Sequence, residues 1–196
     1  MCFAMAGRMQ FRVRILWFQN GCTGIGVDMP IGIVGSTAPE LKVSYWIDSN
    51  GKERHPLKLA ELGPDFKVLF FFQNWCPGCH TDGFPQLKRL IDHLEHRGVG
   101  FAAIQTVFEG MDTNTKDKIL VNQRRHHLKI PFGHDAPLTA NLYPATIEDY
   151  RSRGTPWFVL INPNNVVIYN DFRLNFEKAL MIIKSSSPLD DGSPSL

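Results

Sequence analysis

A chain of 196 residues, 43% hydrophobic and 20% charged, can bury one substantial core, and one domain with some decoration is the default. Its formal net charge of +2, with no basic stripe, gives no electrostatic reason for a nucleic-acid or anionic-membrane partner. The longest apolar runs, such as Val68–Phe72 and Trp157–Ile161, fall far short of the roughly 18 residues of a membrane span, so a soluble protein is expected.

Residues 1–34 show neither helical nor strand periodicity and are rich in glycine, and they are read as an irregular N-terminal extension carrying Cys2 and Cys22. Within them Arg8, Arg12 and Arg14 precede the short apolar run Ile15 to Phe18. A secretory signal needs about 7 to 15 apolar residues before its cleavage site, so a cytoplasmic location is favoured on this ground. Order is expected to begin near Gly35. Val43 to Ile47 is β-rich, Asp48-Ser49-Asn50-Gly51 is a turn signal, and Leu57, Leu59 and Leu62 alternate loosely before Gly63-Pro64. This stretch reads as a hairpin and a short helical turn.

Val68 to Phe72, led in by Lys67, is a continuous apolar run with polar residues at its ends, the pattern of a strand buried on both faces. From Phe84 to Arg97 the residues Phe84, Leu87, Leu90, Ile91 and Leu94 recur at helical spacing, with Pro85 near the start and Gly98 as the stop. Val99 to Val107 reads as a second buried strand, and Lys116 to Leu128 as a helix capped by Asn114 or Thr115. Pro131 to His134 is a short extended piece, and Thr146 to Arg151 a short helix capped by Thr146. Trp157 to Ile161 and Val166 to Tyr169 form a hairpin about the turn Asn162 to Asn165, and Asn175 to Lys184 is the last helix. Residues 185–196, rich in serine and proline, are expected to be a disordered tail.

The chemistry is concentrated in Trp75-Cys76-Pro77-Gly78-Cys79-His80, between the first buried strand and the N-terminus of a helix. C-x-x-C-H attaches c-type haem, C-x-x-C is a redox dithiol, and a cysteine pair is half of a zinc site. Four cysteines in so long a chain do not make a disulfide scaffold, which favours a catalytic or metal-binding role for this pair.

The stretch from Gly35 to Cys79, with Ala38-Pro39-Glu40-Leu41, Asp48, Gly51, Leu57, Leu62, the strand at 67–72 and Trp75 to Cys79, resembles the redoxin or TlpA-like thiol-disulfide oxidoreductases, relatives of the AhpC/TSA proteins. Gly154-Thr155-Pro156-Trp157 is similar to that group's cis-proline segment, and Asn162 to Val166 to its following turn. The likeness spans residues 35–184 and implies a thioredoxin-like fold: three layers, with a mixed central sheet flanked by helices and an N-terminal β-hairpin extension. It implies exchange of disulfides with a protein or small-thiol substrate, a thiol reductant or reductase as electron donor, and no bound cofactor. Family members are often extracytoplasmic, against the location favoured by the N-terminus.

On the matching positions, a helix N-terminus offers unpaired N–H groups and positive potential that stabilise a thiolate. Cys76, the more N-terminal and exposed, is therefore the expected nucleophile, and Cys79, one turn on, the resolving thiol. Pro77 presets φ for the first turn. Trp75 is expected to be a lid, or else an aromatic packed at a strand end. Thr155-Pro156 is expected to be cis and to offer the Thr155 backbone to an extended substrate segment.

One departure stands out. Family members often carry a buried acid three residues after the second cysteine, with proline two residues later. Here one residue is inserted, so counting from Cys79 finds Asp82 and counting back from Pro85 finds Gly83. Asp82 is a candidate proton relay for Cys79, and equally a solvent-facing acid complementing the helix dipole.

Other chemistries fit less well. As a haem ligand, His80 would sit in the first turn of a helix in a β-rich chain, whereas small cytochromes c are helical. Zinc needs two more ligands, and His126, His127 and His134 lie far downstream. Arg124-Arg125-His126-His127 reads as a solvated helix face, and no metal is expected. A peroxiredoxin-like thiol peroxidase remains the alternative, although P-x-x-x-[ST]-x-x-C would need other residues where Gln73 and Leu69 stand. A non-catalytic adaptor has little reason to keep both thiols.

Overall fold

The computed structural model describes residues 31–137 and 143–186. The expectations for Cys2, Cys22 and most of the extension and tail lie outside the described residues. Seven strands form one mixed sheet in the order β2-β1-β5-β4-β3-β6-β7. They are β1 (Tyr45–Ile47), β2 (Glu53–Arg54), β3 (Lys67–Phe72), β4 (Gly100–Thr106), β5 (Phe132–Asp135), β6 (Trp157–Ile161) and β7 (Val167–Asp171). The helices are α1 (Phe84–Leu94), α2 (Asp117–Arg125), α3 (Ala145–Tyr150) and α4 (Phe176–Ser186). This is the mixed sheet with flanking helices and N-terminal hairpin that the sequence predicts.

β3 lies inside the sheet, parallel to β4 on one side and antiparallel to β6 on the other. Its alternation explains the continuous apolar run. Val68, Phe70 and Phe72 face a core shared with α1, α4 and Ile119 of α2. Leu69 and Phe71 face a second core with Trp46, Tyr150 of α3 and Leu57, Leu59 and Leu62. A strand covered on both faces by packed apolar layers has no solvent side to mark with polar residues.

The helix ends differ from expectation in instructive ways. Thr146 does not cap α3 but lies within it. The carboxylate of Asp135, at the end of β5, accepts the N–H groups of Ala145 at 3.3 Å and Thr146 at 2.8 Å and the Thr146 hydroxyl at 2.6 Å. Neither Asn114 nor Thr115 caps α2 through an expected first-turn bond; the Asn114 side chain instead accepts the N–H of Asn74, in the loop after β3, at 2.7 Å. Asn175 does cap α4, accepting the Lys178 N–H at 2.9 Å, and α4 runs past the expected end of the domain to Ser186. At the other end the chain joins the fold before Gly35, since Gly32 N–H donates to Arg151 O at 3.1 Å.

Asp135 is buried, and burial raises its pKa in spite of three hydrogen bonds. Asp135→Ala removes the acceptor and strands donors at the start of α3. The variant is expected to lose about 1–3 kcal/mol, seen as a lower urea midpoint with an unchanged m value.

Candidate active site

The register of the β3/β6 pair builds the site. Phe71 stands opposite Trp157, so the residues after β3 meet those before β6, and the Cys76 thiol contacts the Thr155 carbonyl at 3.5 Å. The Thr155–Pro156 peptide is cis. Helical structure starts at Pro77, the first-turn position where a missing N–H costs nothing. Cys76 sits just ahead of it, and its sulfur accepts the Cys79 N–H at 3.2 Å, as an N-cap oxygen would.

The two sulfurs are 2.6 Å apart, yet they sit in different surroundings. Cys79 is fully buried against the sheet, while Cys76 keeps 6% of its surface exposed. The Cys79 thiol, the Thr155 side chain, the Cys79 backbone N–H and the charge of His80 together pull the Cys76 pKa down to about 6, against the opposing effect of burial. Burial, and then the Cys76 sulfur, push Cys79 up. One negative charge is therefore held on the outer sulfur and excluded from the inner one. A groove of about 1000 Å³ opens beside them, lined by Gly78, Asp82, Pro156, Phe172 and Arg173 among others. Trp75, just ahead of the dithiol, is 46% exposed and lies over Gly110, its indole nitrogen 3.1 Å from where a Cβ on that glycine would be.

The inserted residue is absorbed locally. Cys79–Gly83 forms a π turn, in which Phe84 N–H bonds the Cys79 carbonyl, and α1 resumes at Phe84 with its apolar face intact. The residue facing the sheet below the dithiol is Gly83. A Cβ there would lie 2.7 Å from the Phe70 ring and 2.9 Å from Pro156 Cβ, so no acid fits. Asp82 is exposed on the outer side, accepting from Gln86 Nε2 at 2.9 Å.

Polar residues missed in the sequence hold the loop from behind. Asn74 N–H donates to Asn114 Oδ1 at 2.7 Å, its amide donates to Thr113 O at 3.0 Å, and its Oδ1 accepts from Asn122 at 3.0 Å. The Asn74 carbonyl accepts from His80 Nε2 at 2.7 Å. His80 Nδ1 lies 3.0 Å from His126 Nε2, and the His126 ring stacks on Phe84 at 3.9 Å. His126 is thus no part of a solvated face: it is half-buried against the active-site helix. Among the described residues, no group of three or more His, Cys, Asp or Glu could hold a metal ion, and no helix is long and apolar enough to cross a membrane.

The sequence profile of the AhpC/TSA family matches residues 34–170. This chain belongs to the AhpC/TSA family. Its fold is thioredoxin-like. A thioredoxin-like superfamily protein of known crystal structure is 27% identical, with 76% of this chain and 94% of that one covered at a TM-score of 0.67. A thiol-disulfide isomerase from Corynebacterium glutamicum is 24% identical over 77% of this chain and 98% of its own, at 0.65. The thioredoxin domain of a thiol-disulfide oxidoreductase from Bacteroides vulgatus is 15% identical over 76% and 97%, at 0.59. A search of the curated proteins gave no match. In this AhpC/TSA protein Gln73 occupies the position three before Cys76; it is wholly buried and donates to Thr106 O at 3.1 Å, away from the groove.

The thiol environment fixes the sign of a pH effect. Cys76, held near 6 when folded against about 8.5 in an unfolded chain, contributes stability that is fully present above the unfolded value and lost as pH falls through 6. His126, lowered to about 4 chiefly by burial, adds a slope of the same sign at lower pH in both redox states. The difference between reduced and oxidised protein isolates the thiol. In urea titrations the reduced form should gain on the oxidised form between about pH 6 and pH 8.5.

Proposed function

We propose that this AhpC/TSA protein is a thiol-disulfide oxidoreductase working through the Cys76–Cys79 dithiol, on a protein disulfide or a small disulfide. The observation that carries the reading is the asymmetry of two neighbouring sulfurs, one lowered and partly exposed beside Thr155, the other raised and buried. The family supports oxidoreductase activity in general, and thiol or disulfide substrates.

In this mechanism the Cys76 thiolate attacks a substrate sulfur. The substrate S–S bond breaks, a Cys76–substrate disulfide forms, and a substrate thiolate leaves. Cys79 then gives up its proton and attacks Cys76 Sγ across the short separation of the two sulfurs, releasing the second substrate thiolate. The substrate gains two electrons and the protein is left with a Cys76–Cys79 disulfide, which a thiol reductant or reductase must reopen. The Thr155 hydroxyl side stabilises the attacking thiolate, and Pro77 fixes the turn that presents it. Pro156 forms part of the groove wall where an extended substrate would lie, and the exposed Trp75 ring next to Cys76 is taken as the lid of the dithiol. Asp82 complements the helix N-terminus from the solvent side, and the relay role falls away with its outward orientation. The domain that does this is taken as residues 35–184, flanked by the extension and tail.

The haem reading loses support because both ring nitrogens of His80 are engaged, with Asn74 O and His126. A structural pair would not distinguish its two members, whereas this mechanism does. Cys79→Ser should accumulate substrate on Cys76 as a disulfide released by dithiothreitol, and Cys76→Ser should abolish both capture and insulin reduction. Identical behaviour of the two variants would sink the exchange mechanism. Hydrogen peroxide consumption by the reduced wild type, far faster than by a free thiol, would establish the peroxidase alternative instead.

A further inference from the structure

The His80–His126 contact joins the residue after the dithiol to the C-terminal end of α2, which sequence places 46 positions away. Hydrogen-bond accounting restricts what it can hold. The Asn74 carbonyl has no proton to give, so His80 Nε2 carries one. With both rings neutral, His80 Nδ1 must accept from His126 Nε2–H. With one added proton, His80 Nδ1–H donates to His126 Nε2, and every bond is again complete. A second added proton would set two N–H groups against each other. The pair therefore holds at most one extra proton, shared along a line that ends under the Asn74-Trp75-Cys76 turn.

The surroundings favour keeping that charge on His80. His126 is half-buried and stacked on Phe84, and its pKa is lowered to about 4 by burial first and then by the charges of His80, Arg125 and His127. His80 follows Cys79 directly, and its charge is among the causes that lower Cys76. On the adjoining π turn Asp82 bonds Gln86 on the outer side, α1 presents apolar Phe84, and α2 also presents neutral Asn122 to Asn74. We propose that His126 is a positioning residue for the Cys76 thiolate: by accepting the Nδ1 proton of His80, it keeps a single positive charge at the base of the dithiol loop.

The proposal deepens the thiol-exchange reading but its test needs no disulfide partner, so the two can fail separately. The probe is the rate of Cys76 alkylation by iodoacetamide against pH in the reduced full-length protein. His126→Phe keeps a ring on Phe84 and removes the acceptor nitrogen. It should shift the Cys76 midpoint upward by about half to one unit, or about three- to tenfold less thiolate at low pH. His80→Gln should give a shift at least as large, and the double variant no more than His80→Gln alone. A midpoint unmoved in His126→Phe, or additive shifts in the double variant, would reduce His126 to packing. Long-range proton–nitrogen NMR of the wild-type imidazoles gives an answer independent of any variant's folding. His80 protonated at Nε2 throughout the titration supports the shared proton, and His80 protonated only at Nδ1 overturns it.

Discussion

The site depends on how the chain leaves β3. A strand buried on both faces ends at Phe72, and within four residues the chain must become a helix, with Gln73 and Cys76 buried while Trp75 and Pro77 stay exposed. The Cys76 N–H returns to Gln73 O, and Asn74 is held by bonds to Asn114, Thr113, Asn122 and His80. Each bond contributes only about 0.5–1.5 kcal/mol net, but an unmade one in this setting costs about 1–3. The network therefore acts less by adding stability than by forbidding other paths for the loop. Cys76 is placed beside Thr155 because the loop has one satisfied geometry and β6 is in fixed register with β3.

The inserted residue shows the same constraint from the other side. α1 must keep Phe84, Leu87, Leu90 and Leu94 on the sheet, and the first cysteine must remain at the helix start. An extra residue between them would rotate one against the other by about 100° in a regular helix. The π turn takes up that rotation. It also turns Asp82 to solvent and puts Gly83 where Phe70 and Pro156 leave no space for a side chain. A buried acid beneath Cys79 is incompatible with this packing, and the ionisable partners of the dithiol come instead from His80 and, behind it, α2.

What sequence made legible follows from the range of the signals. The buried strand, the amphipathic α1 and the β6–β7 hairpin are local patterns, and they appear where their periodicity places them. The dithiol and Thr155-Pro156 are short motifs in contiguous sequence. α2 was harder, because its hydropathy misleads: Val121 is exposed, while Asn122 and Gln123 are buried and hydrogen-bonded. His126 lies one turn beyond Asn122 on that polar inward face, so a run with two arginines and two histidines looked like a solvated surface. The α3 cap escaped for a related reason. Thr146 is a good local capping residue, but a carboxylate on β5 reaches the same N–H groups with greater charge. In each case a contact between distant positions replaced the one that local sequence favours.

The difference between the cysteines comes from depth rather than chemistry. Two identical thiols one turn apart would share a charge equally, but Cys79 points into a core of Phe70, Phe84 and their neighbours, where an anion loses its hydration. Cys76 receives the Cys79 N–H and keeps a little of its surface exposed. Ionisation of either sulfur opposes ionisation of the other, so the outer sulfur's advantage is reinforced by the inner sulfur's burial. In the proposed exchange this ordering has to be overcome, because Cys79 would have to ionise to resolve the intermediate. Formation of the mixed disulfide removes the negative charge from Cys76, and with it one of the two causes holding Cys79 neutral. In the proposed mechanism the step that captures the substrate thus prepares the thiol that releases it. Burial remains as the other cause that holds Cys79 neutral.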